Sequence, residues 1–297
     1  MLAMLIDKAV ESYIGWKSVY SPSASKRYKT RLDKLFASLQ GVNELSGLTG
    51  DDIARFHKNM ETEHYSRATV AYSLTVIKNF LQFWKERGEK VPDPKEIKSI
   101  RFTNRIKPVV SESDFEKLSS AFNAECFMEL KMKLSIHMLW DTGMRVSELI
   151  DMNVSDINDE NGEGIRTAQI LSKKSSRYNL VAWSRETDAL LSKYLRIRAD
   201  ENIDSEALFV NTFTKRARRL DVRTIQRWVK QGTKKAGLAK AISPHSFRHG
   251  KAHYMLNNGA NIRDVQAVLR HVNPVTTFHY LSLNEKHFIE MAGKHLR

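Results

Sequence analysis

A basic segment rich in proline divides the chain and limits how it can fold. Residues 91–108 read VPDPKEIKSIRFTNRIKP, with three prolines among lysines and arginines. Because proline disfavours helix in the residue before it, the segment predicts an extended linker between domains. A chain of 297 residues is long enough for two domains of ordinary size. We therefore expect a first domain over residues 1–104 and a second over residues 109–297.

The first hundred residues carry the pattern of an all-helical domain. Ser23 or Ser25 is a candidate cap for a helix whose apolar stripe runs through residues 28–39. Thr49 and Ser66 stand where two further helices should begin. The other faces of these helices carry cations, which singly are more often solvated than bound to DNA. Their repetition on several helices predicts a bundle that holds phosphates. The candidate contacts are Lys26, Arg27, Arg67 and Lys78.

The second domain mixes helices with a short strand pair. A capping pattern at Ser111 predicts its first helix. A helix from about Glu125 to Trp140 should follow, and Gly143 should interrupt it before the next helix. Residues 165–183 look like two strands around a polar turn, and they are the only convincing strand pair in the sequence.

The charge balance predicts a polyanionic partner. Lysine and arginine total 48 against 34 aspartates and glutamates, which gives a net charge of +14. Residues 1–108 hold 19 basic and 12 acidic residues, and residues 109–297 hold 29 and 22. Since both regions share the excess, both are expected to grip DNA, although a merely soluble basic protein is the alternative. Further candidate DNA contacts are Arg105, Arg177, Arg218, Arg219, Arg223 and Arg227.

Several classes of protein find no support in the sequence. The single cysteine, Cys126, excludes an intrachain disulfide, and its apolar surroundings predict a buried thiol. No apolar run approaches membrane-spanning length, and the N-terminus turns polar too early for a signal peptide, so we expect a cytoplasmic protein. Cysteine pairs, an HExxH motif and a glycine loop for phosphates are absent from the sequence. Metal, ATP and NAD are therefore not implied, and no cofactor is expected.

Five residues supply the chemistry for attacking a phosphodiester without a metal. They are Arg145, His245, Arg248, His271 and Tyr280. An arginine can clamp two phosphate oxygens at once, and a histidine can move a proton near neutral pH. A tyrosine can act as a covalent nucleophile.

The order of these residues resembles the tyrosine recombinase (phage integrase) family in its Xer-like, two-domain form. The chain reads TGMRVSEL from Thr142, HSFRH from His245, and LRH followed nine residues later by Tyr280. Phe247 stands where the family usually has leucine, and Arg270 where it usually has glycine. The resemblance implies a mainly α fold with a small β-sheet in the C-terminal domain. A helical core-binding domain and a mixed α+β catalytic domain would form a C-shaped clamp on DNA.

The resemblance also implies a role for each residue. Tyr280 would attack a DNA phosphate and form a 3′-phosphotyrosine, with His245 as the base. Arg145 and Arg248 would hold the non-bridging oxygens, and His271 would donate a hydrogen bond to the phosphate. The protein–DNA bond keeps the energy of the phosphodiester, so rejoining would need no ATP.

Two positions leave alternatives open. Family members carry a catalytic lysine in the hairpin, and counting back from the end of its second strand gives Lys174, which would protonate the 5′-oxygen. Lys173 is the neighbouring alternative. Because successive strand residues face opposite ways, only one of the two lysines can enter the site. Glu148 either orients the catalytic groups or pairs with a surface lysine.

The implied partner is double-stranded DNA carrying recombination sites. We expect a monomer in the free state and a homotetramer on synapsed DNA, with an accessory DNA-bending protein or a partner recombinase as a further component. Residues 284–297 would dock in trans on a neighbour or pack on their own domain. A type IB topoisomerase, a non-catalytic DNA-binding regulator and a metal-dependent nuclease are rival functions. The compact order of the motifs favours a site-specific recombinase for integration, excision or dimer resolution.

Overall fold

A computed structural model describes residues 4–39, 41–100, 108–158, 166–172, 177–211 and 217–270. The chain forms two compact units, residues 1–106 and residues 107–297, and each has its own hydrophobic core. Among the helices of these described residues, none is long and apolar enough to cross a membrane.

The N-terminal unit is built from four α-helices within its described residues. They are α1 (Ile6–Tyr20), α2 (Pro22–Ala37), α3 (Gly50–Thr62) and α4 (Arg67–Lys85). The starts predicted at Thr49 and Ser66 are confirmed. The Thr49 hydroxyl accepts from the backbone N–H of Asp52, whose carboxylate accepts from the Thr49 N–H, and Ser66 accepts from the N–H of Thr69. These bonds satisfy backbone donors that have no partner inside the helix.

Helix α2 begins before the predicted serine caps. It starts at Pro22, directly after Ser21. Proline suits the first turn because its fixed φ is helical and its missing N–H would have had no helical acceptor there. Ser25 lies inside the helix, where its hydroxyl donates to the Pro22 carbonyl at 2.7 Å. The prediction of Ser23 or Ser25 as the cap was therefore wrong.

The apolar stripes predicted on α2 and α4 form the core of the N-terminal unit. Leu32 and Leu35 of α2 and Ile77 of α4 have no exposed surface. Tyr13 of α1 packs edge-on against Phe80 of α4, with ring centroids 5.4 Å apart. Fully burying one such side chain contributes roughly 1.5–3 kcal/mol, so packing of these stripes explains why the four helices stay together.

The C-terminal unit adds seven helices within the part of the chain that is described. They are α5 (Glu112–Ser120), α6 (Phe127–Thr142), α7 (Val146–Asp151), α8 (Arg185–Asp200), α9 (Val222–Lys235), α10 (Pro244–Asn257) and α11 (Ile262–Leu269). The cap predicted at Ser111 is confirmed, since its hydroxyl accepts from the Asp114 N–H. Helix α6 runs through the middle of the unit, with α5, α8, α9 and α10 packed around it.

Helix α6 begins and ends later than predicted. It starts at Phe127 rather than Glu125, and it continues past Trp140 to Thr142. Cys126 is the residue before the first turn, and it is exposed. The prediction of a buried thiol was wrong, because the apolar face of the helix begins only after this residue.

The strands form two small antiparallel sheets. They are β1 (Ile157–Asn158), β2 (Thr167–Ser172), β3 (Arg177–Ala182), β4 (Val210–Asn211) and β5 (Arg218–Arg219). The hairpin predicted over residues 165–183 is confirmed as β2 and β3, whose pairing runs from Thr167 and Ala182 to Ser172 and Arg177. The prediction that it is the only strand pair was wrong, because β1 joins β2 and β4 pairs with β5. Strands of two residues are too short to give an alternating pattern in the sequence. The predicted fold class, mainly α with small sheets, is confirmed.

Candidate active site

The site is built around the turn between α6 and α7. Gly143 ends α6 with a φ of +56°, a left-handed conformation that glycine adopts without cost. A Cβ at this position would lie 2.6 Å from a methyl carbon of Leu269, so the Leu269 side chain would have to shift to admit one. The turn delivers Arg145 to the start of α7.

Glu148 holds Arg145 from inside the protein. The Arg145 guanidinium donates to Glu148 Oε1 at 2.7 Å, and the Arg145 backbone N–H donates to Oε2 at 2.8 Å. Ser172, the last residue of β2, donates to Oε1 at 3.0 Å. Glu148 is 4% exposed, so the alternative of pairing with a surface lysine does not apply.

The Glu148 carboxylate is kept charged although it is buried. Burial by itself would raise its pKa. The backbone N–H of Arg145 and the guanidinium groups of Arg270 and Arg145 outweigh that effect, and the pKa of Glu148 lies below its usual value. An ionised Glu148 can therefore anchor arginines in the interior.

Arg248 reaches the same turn from α10. Its side chain is 1% exposed, and its guanidinium donates to the Gly143 carbonyl at 2.8 Å and to the Leu269 carbonyl. Gly250 allows α10 to lie this deep, because a Cβ there would collide with the carbonyl oxygen of Val110. His245 is exposed on the same helix, with its ring 4.6 Å from that of His249 between centroids.

Arg270 is a third arginine at this turn. It ends α11 in the left-handed conformation, with φ 55° and ψ 46°. Its side chain is 6% exposed, and its Nη2 lies 3.6 Å from Glu148 Oε2. Its Nη1 donates to the carbonyls of Val268, at 2.7 Å, and Thr142, at 3.3 Å. From the sequence, Arg270 was noted only as a departure from glycine in a turn.

Ser172 and Arg270 are therefore the site residues that sequence reasoning missed. Arg270 had one signal, a charged side chain where a left-handed turn prefers glycine. Ser172 had none, since a serine at a strand end is common.

Lys173, Lys174, His271 and Tyr280 lie outside the described residues. The two lysines lie between β2, which ends at Ser172, and β3, which begins at Arg177. Of these two flanking residues, Ser172 contacts Glu148.

The predicted DNA contacts fall into three groups. Most are exposed in the described part of the chain: Lys26, Arg27, Arg67, Arg177, Arg218, Arg223 and Arg227. Lys78 is half-buried and donates to Ser99 Oγ at 3.0 Å, and Arg105 lies outside the described residues. Arg219 is exposed as well, but its guanidinium donates to the carbonyls of Ile150, at 2.6 Å, and Met152, at 3.0 Å, and so holds the end of α7.

A metal site is not evident in the described residues, which contain no cluster of three or more histidine, cysteine, aspartate or glutamate side chains suited to one. Around Glu148, two guanidinium groups, of Arg145 and Arg270, surround one carboxylate.

Comparison with known proteins decides the family. The profile described as "Phage integrase family" matches residues 108–287, and "Phage integrase, N-terminal SAM-like domain" matches residues 11–88. The chain belongs to the phage integrase family. The prediction of a tyrosine recombinase is thereby confirmed.

Relatives of this integrase-family chain extend over its whole length. A "Tyrosine recombinase" of Thermosipho africanus is 26% identical over 298 residues, which covers 97% of this chain and all of the relative. The XerH recombinase bound to palindromic difH substrate has a TM-score of 0.74 at 19% identity, covering 95% of this chain and 83% of that one. A lambda integrase tetramer bound to a Holliday junction has a TM-score of 0.72 at 14% identity, covering 92% and 79%. These two structures share the fold.

Proposed function

We propose that this tyrosine recombinase cleaves and rejoins duplex DNA at specific sites, with Tyr280 as the nucleophile and Arg145 and Arg248 as the phosphate clamp. One observation carries the proposal. Arg145 and Arg248 are far apart in the sequence, yet both are fastened to the Gly143 turn, one through Glu148 and one through the Gly143 carbonyl. A pair of rigid guanidinium groups suits the non-bridging oxygens of one phosphate.

Rigidity is the main contribution of this arrangement to the rate. Negative charge reorganises on the phosphate during transfer, and donors already in place need no rearrangement at that moment. Arg248 is held by two carbonyls, and Arg145 is held by Glu148, which Ser172 supports. Glu148 is thus proposed to orient Arg145, not to touch the phosphate.

The proton transfers are assigned to side chains around this clamp. A free tyrosine phenol has a pKa of about 10, so attack by Tyr280 at neutral pH needs a base, and His245 is the proposed base. As the Tyr280–phosphorus bond forms, the bond to the 5′-oxygen breaks and Lys174 protonates that oxygen. His271 donates to a phosphate oxygen. The resulting 3′-phosphotyrosine is reopened by a 5′-hydroxyl, and strands are exchanged when that hydroxyl belongs to another duplex.

The N-terminal unit is the proposed core-binding domain, over residues 1–104, and residues 109–297 form the proposed catalytic domain. Lys26, Arg27 and Arg67 are exposed cations on α2 and α4, as expected for contacts to the DNA backbone. The sequence-independent part of binding would come mainly from such contacts.

The proposed assembly is a monomer in solution and a homotetramer on two paired sites. The DNA-bound lambda integrase tetramer, which shares the fold, supports a tetramer for this chain. Residues 284–297 are proposed to dock on a neighbouring protomer. An accessory DNA-bending protein or a partner recombinase would act on that assembly, in integration, excision or dimer resolution.

The deciding experiment is trapping on a nicked suicide duplex that carries the recombination site. Cleavage releases a short fragment, so rejoining fails and a covalent complex accumulates. We expect this complex in the presence of a chelator, with DNA attached to the peptide that contains Tyr280. Attachment to another residue would contradict the nucleophile, and free cleaved ends that depend on a divalent metal would point to a nuclease.

Deleting residues 285–297 tests the proposed docking of the tail. We expect binding to one site to be preserved and recombination between two sites to be weakened. Unchanged two-site recombination would show that the tail packs only on its own domain or has no coupling role.

A further inference from the structure

The backbone at Arg270 gives no reason for an arginine. The residue ends α11 with φ 55°, a conformation in which a side chain is disfavoured and glycine is usual. An arginine here must therefore be explained by what its side chain does.

The Arg270 side chain is turned into the site. It is 6% exposed, and its Nη2 lies 3.6 Å from Glu148 Oε2, the oxygen that also accepts from the Arg145 backbone N–H. Its Nη1 donates hydrogen bonds to the carbonyls of Thr142 and Val268. Among the described residues, Nε and Nη2 of Arg270 have no hydrogen-bond acceptor. Buried donors of this kind are costly unless an acceptor reaches them.

The described charged groups around the turn carry more positive than negative charge. Arg145, Arg248 and Arg270 all lie around the turn; Glu148 pairs with Arg145 and Arg270, and Arg248 donates to the Gly143 carbonyl. Burial lowers the pKa of Arg270, Glu148 raises it, and Arg145 lowers it. An anion entering the site would relieve the repulsion between the two guanidinium groups.

We propose that Arg270 is a positioning residue of the phosphate site, which braces Glu148 against Arg145 and adds a third guanidinium to the field at the scissile phosphate. This inference rests on the proposed function of the same site. Arg270 acts through Glu148 and through its charge, while Arg145 and Arg248 hold the oxygens. Binding of the phosphate compensates the cost of burying this cation.

The test compares Arg270→Gly and Arg270→Lys with Arg263→Ala. Glycine suits the left-handed turn and removes the guanidinium, while lysine keeps the positive charge. Arg263 lies on the exposed surface of the same helix, so its replacement removes one charge outside the site. For each variant we would measure the melting temperature, affinity for the site and the single-turnover cleavage rate on saturating suicide DNA.

We expect Arg270→Gly to keep or raise the melting temperature and to bind DNA nearly as well as the wild type. Its cleavage rate should fall by about tenfold or more, which is less than the roughly hundredfold cost of removing a donor that contacts the reacting oxygens, because Arg270 acts through Glu148 and through its charge. Arg270→Lys should recover part of the rate, and Arg263→Ala should match the wild type. Wild-type cleavage by Arg270→Gly would overturn the inference.

A double variant tests the route through Glu148. If Arg270 acts by bracing this carboxylate, then Arg270→Gly should cost clearly less in a Glu148→Gln background than in the wild type. A full and independent loss in both backgrounds would contradict the bracing role.

A readout without DNA separates this inference from the proposed function. Inorganic phosphate, compared with chloride at equal ionic strength, should raise the melting temperature of the wild type and do so less for Arg270→Gly. An equal shift in both, or none in the wild type, would overturn the role of Arg270. If the wild type forms no covalent complex, the recombinase mechanism is contradicted. The change in melting temperature caused by phosphate would still decide whether Arg270 serves an anion site.

Discussion

Buried arginines distinguish the C-terminal unit from the N-terminal unit in the described part of the chain. In the N-terminal unit the basic residues are exposed or half-buried, and Lys29 and Asp33 pair on α2 with 53% and 51% of their side chains exposed. In the C-terminal unit many basic residues are also exposed, but Arg248 and Arg270 are almost fully enclosed, with 1% and 6% exposed. Exposed cations supply screened, interchangeable attraction to a polyanion, whereas enclosed ones have a single defined geometry.

Burial alone does not identify a catalytic arginine. Arg198 is 5% exposed, but its donors are taken up by the carbonyls of Ser205, Ala207 and Leu208. What distinguishes the Gly143 turn is that Arg145 and Arg270 share the Glu148 carboxylate, while Arg248 is bound to the Gly143 carbonyl beside them. Positive charge there exceeds what the described residues neutralise, and an arriving phosphate can complete the balance.

Tyr280→Phe should separate binding from chemistry most completely. The change removes one oxygen, the proposed nucleophile, so cleavage should be abolished while affinity for the site stays nearly intact. Gel shift and covalent-complex assays on the same DNA would measure both. A covalent adduct formed by the phenylalanine variant would contradict the assignment.

Arg145→Ala and Arg248→Ala should each slow cleavage by about a hundredfold or more, with a modest loss of affinity, because many other cations carry binding. Their effects on stability should differ. Losing Arg248 leaves two buried carbonyls without this donor, at a cost of roughly 1–3 kcal/mol for an unpaired buried group. Glu148 keeps Ser172 and Arg270 when Arg145 is removed.

Single-turnover rates and melting temperatures would measure this difference. We expect the larger drop in melting temperature for Arg248→Ala. A loss of affinity large enough to explain the whole defect in cleavage would make both residues ordinary phosphate anchors, and the contrast between the two units would disappear.

Lys174→Ala tests a cation with a third task, proton donation. Its cleavage defect should be restored by a substrate in which sulfur replaces the bridging 5′-oxygen, because a thiolate leaves without a proton. Lys173→Ala is the matched control. Rescue of the Lys173 variant instead would exchange the roles of the two lysines.

Lys26→Ala and Arg27→Ala should give the smallest effects. Each lost phosphate contact should lower the slope of log affinity against log salt by about 0.9, with cleavage at saturating DNA unchanged. Binding measured across a salt series would show it. A cleavage defect at saturating DNA would mean that the N-terminal unit influences the chemical step, which would contradict a role limited to DNA binding.

Local patterns in the sequence predicted a helical first domain, a mixed second domain and three helix starts. Thr49, Ser66 and Ser111 cap helices where expected, because a cap depends on residues only three apart. Errors arose where a neighbour outside the pattern decided, as with Pro22 at the start of α2. The two-residue strands β1, β4 and β5 were not predicted, because they are too short to show an alternating pattern.

The sequence by itself determined the family, the order of the motifs and the chemistry that their side chains can perform. Only the tertiary structure decided which cations are enclosed and what fastens them. The carbonyl that holds Arg248 belongs to Gly143, 105 residues away, and Arg270 reaches back 128 residues to Thr142. Local periodicity reports which face of an element is buried, but it carries no information about which distant carbonyl or carboxylate will meet a given guanidinium. That meeting depends on how α6, α7, α10 and α11 pack, and their packing made Arg270 part of the site.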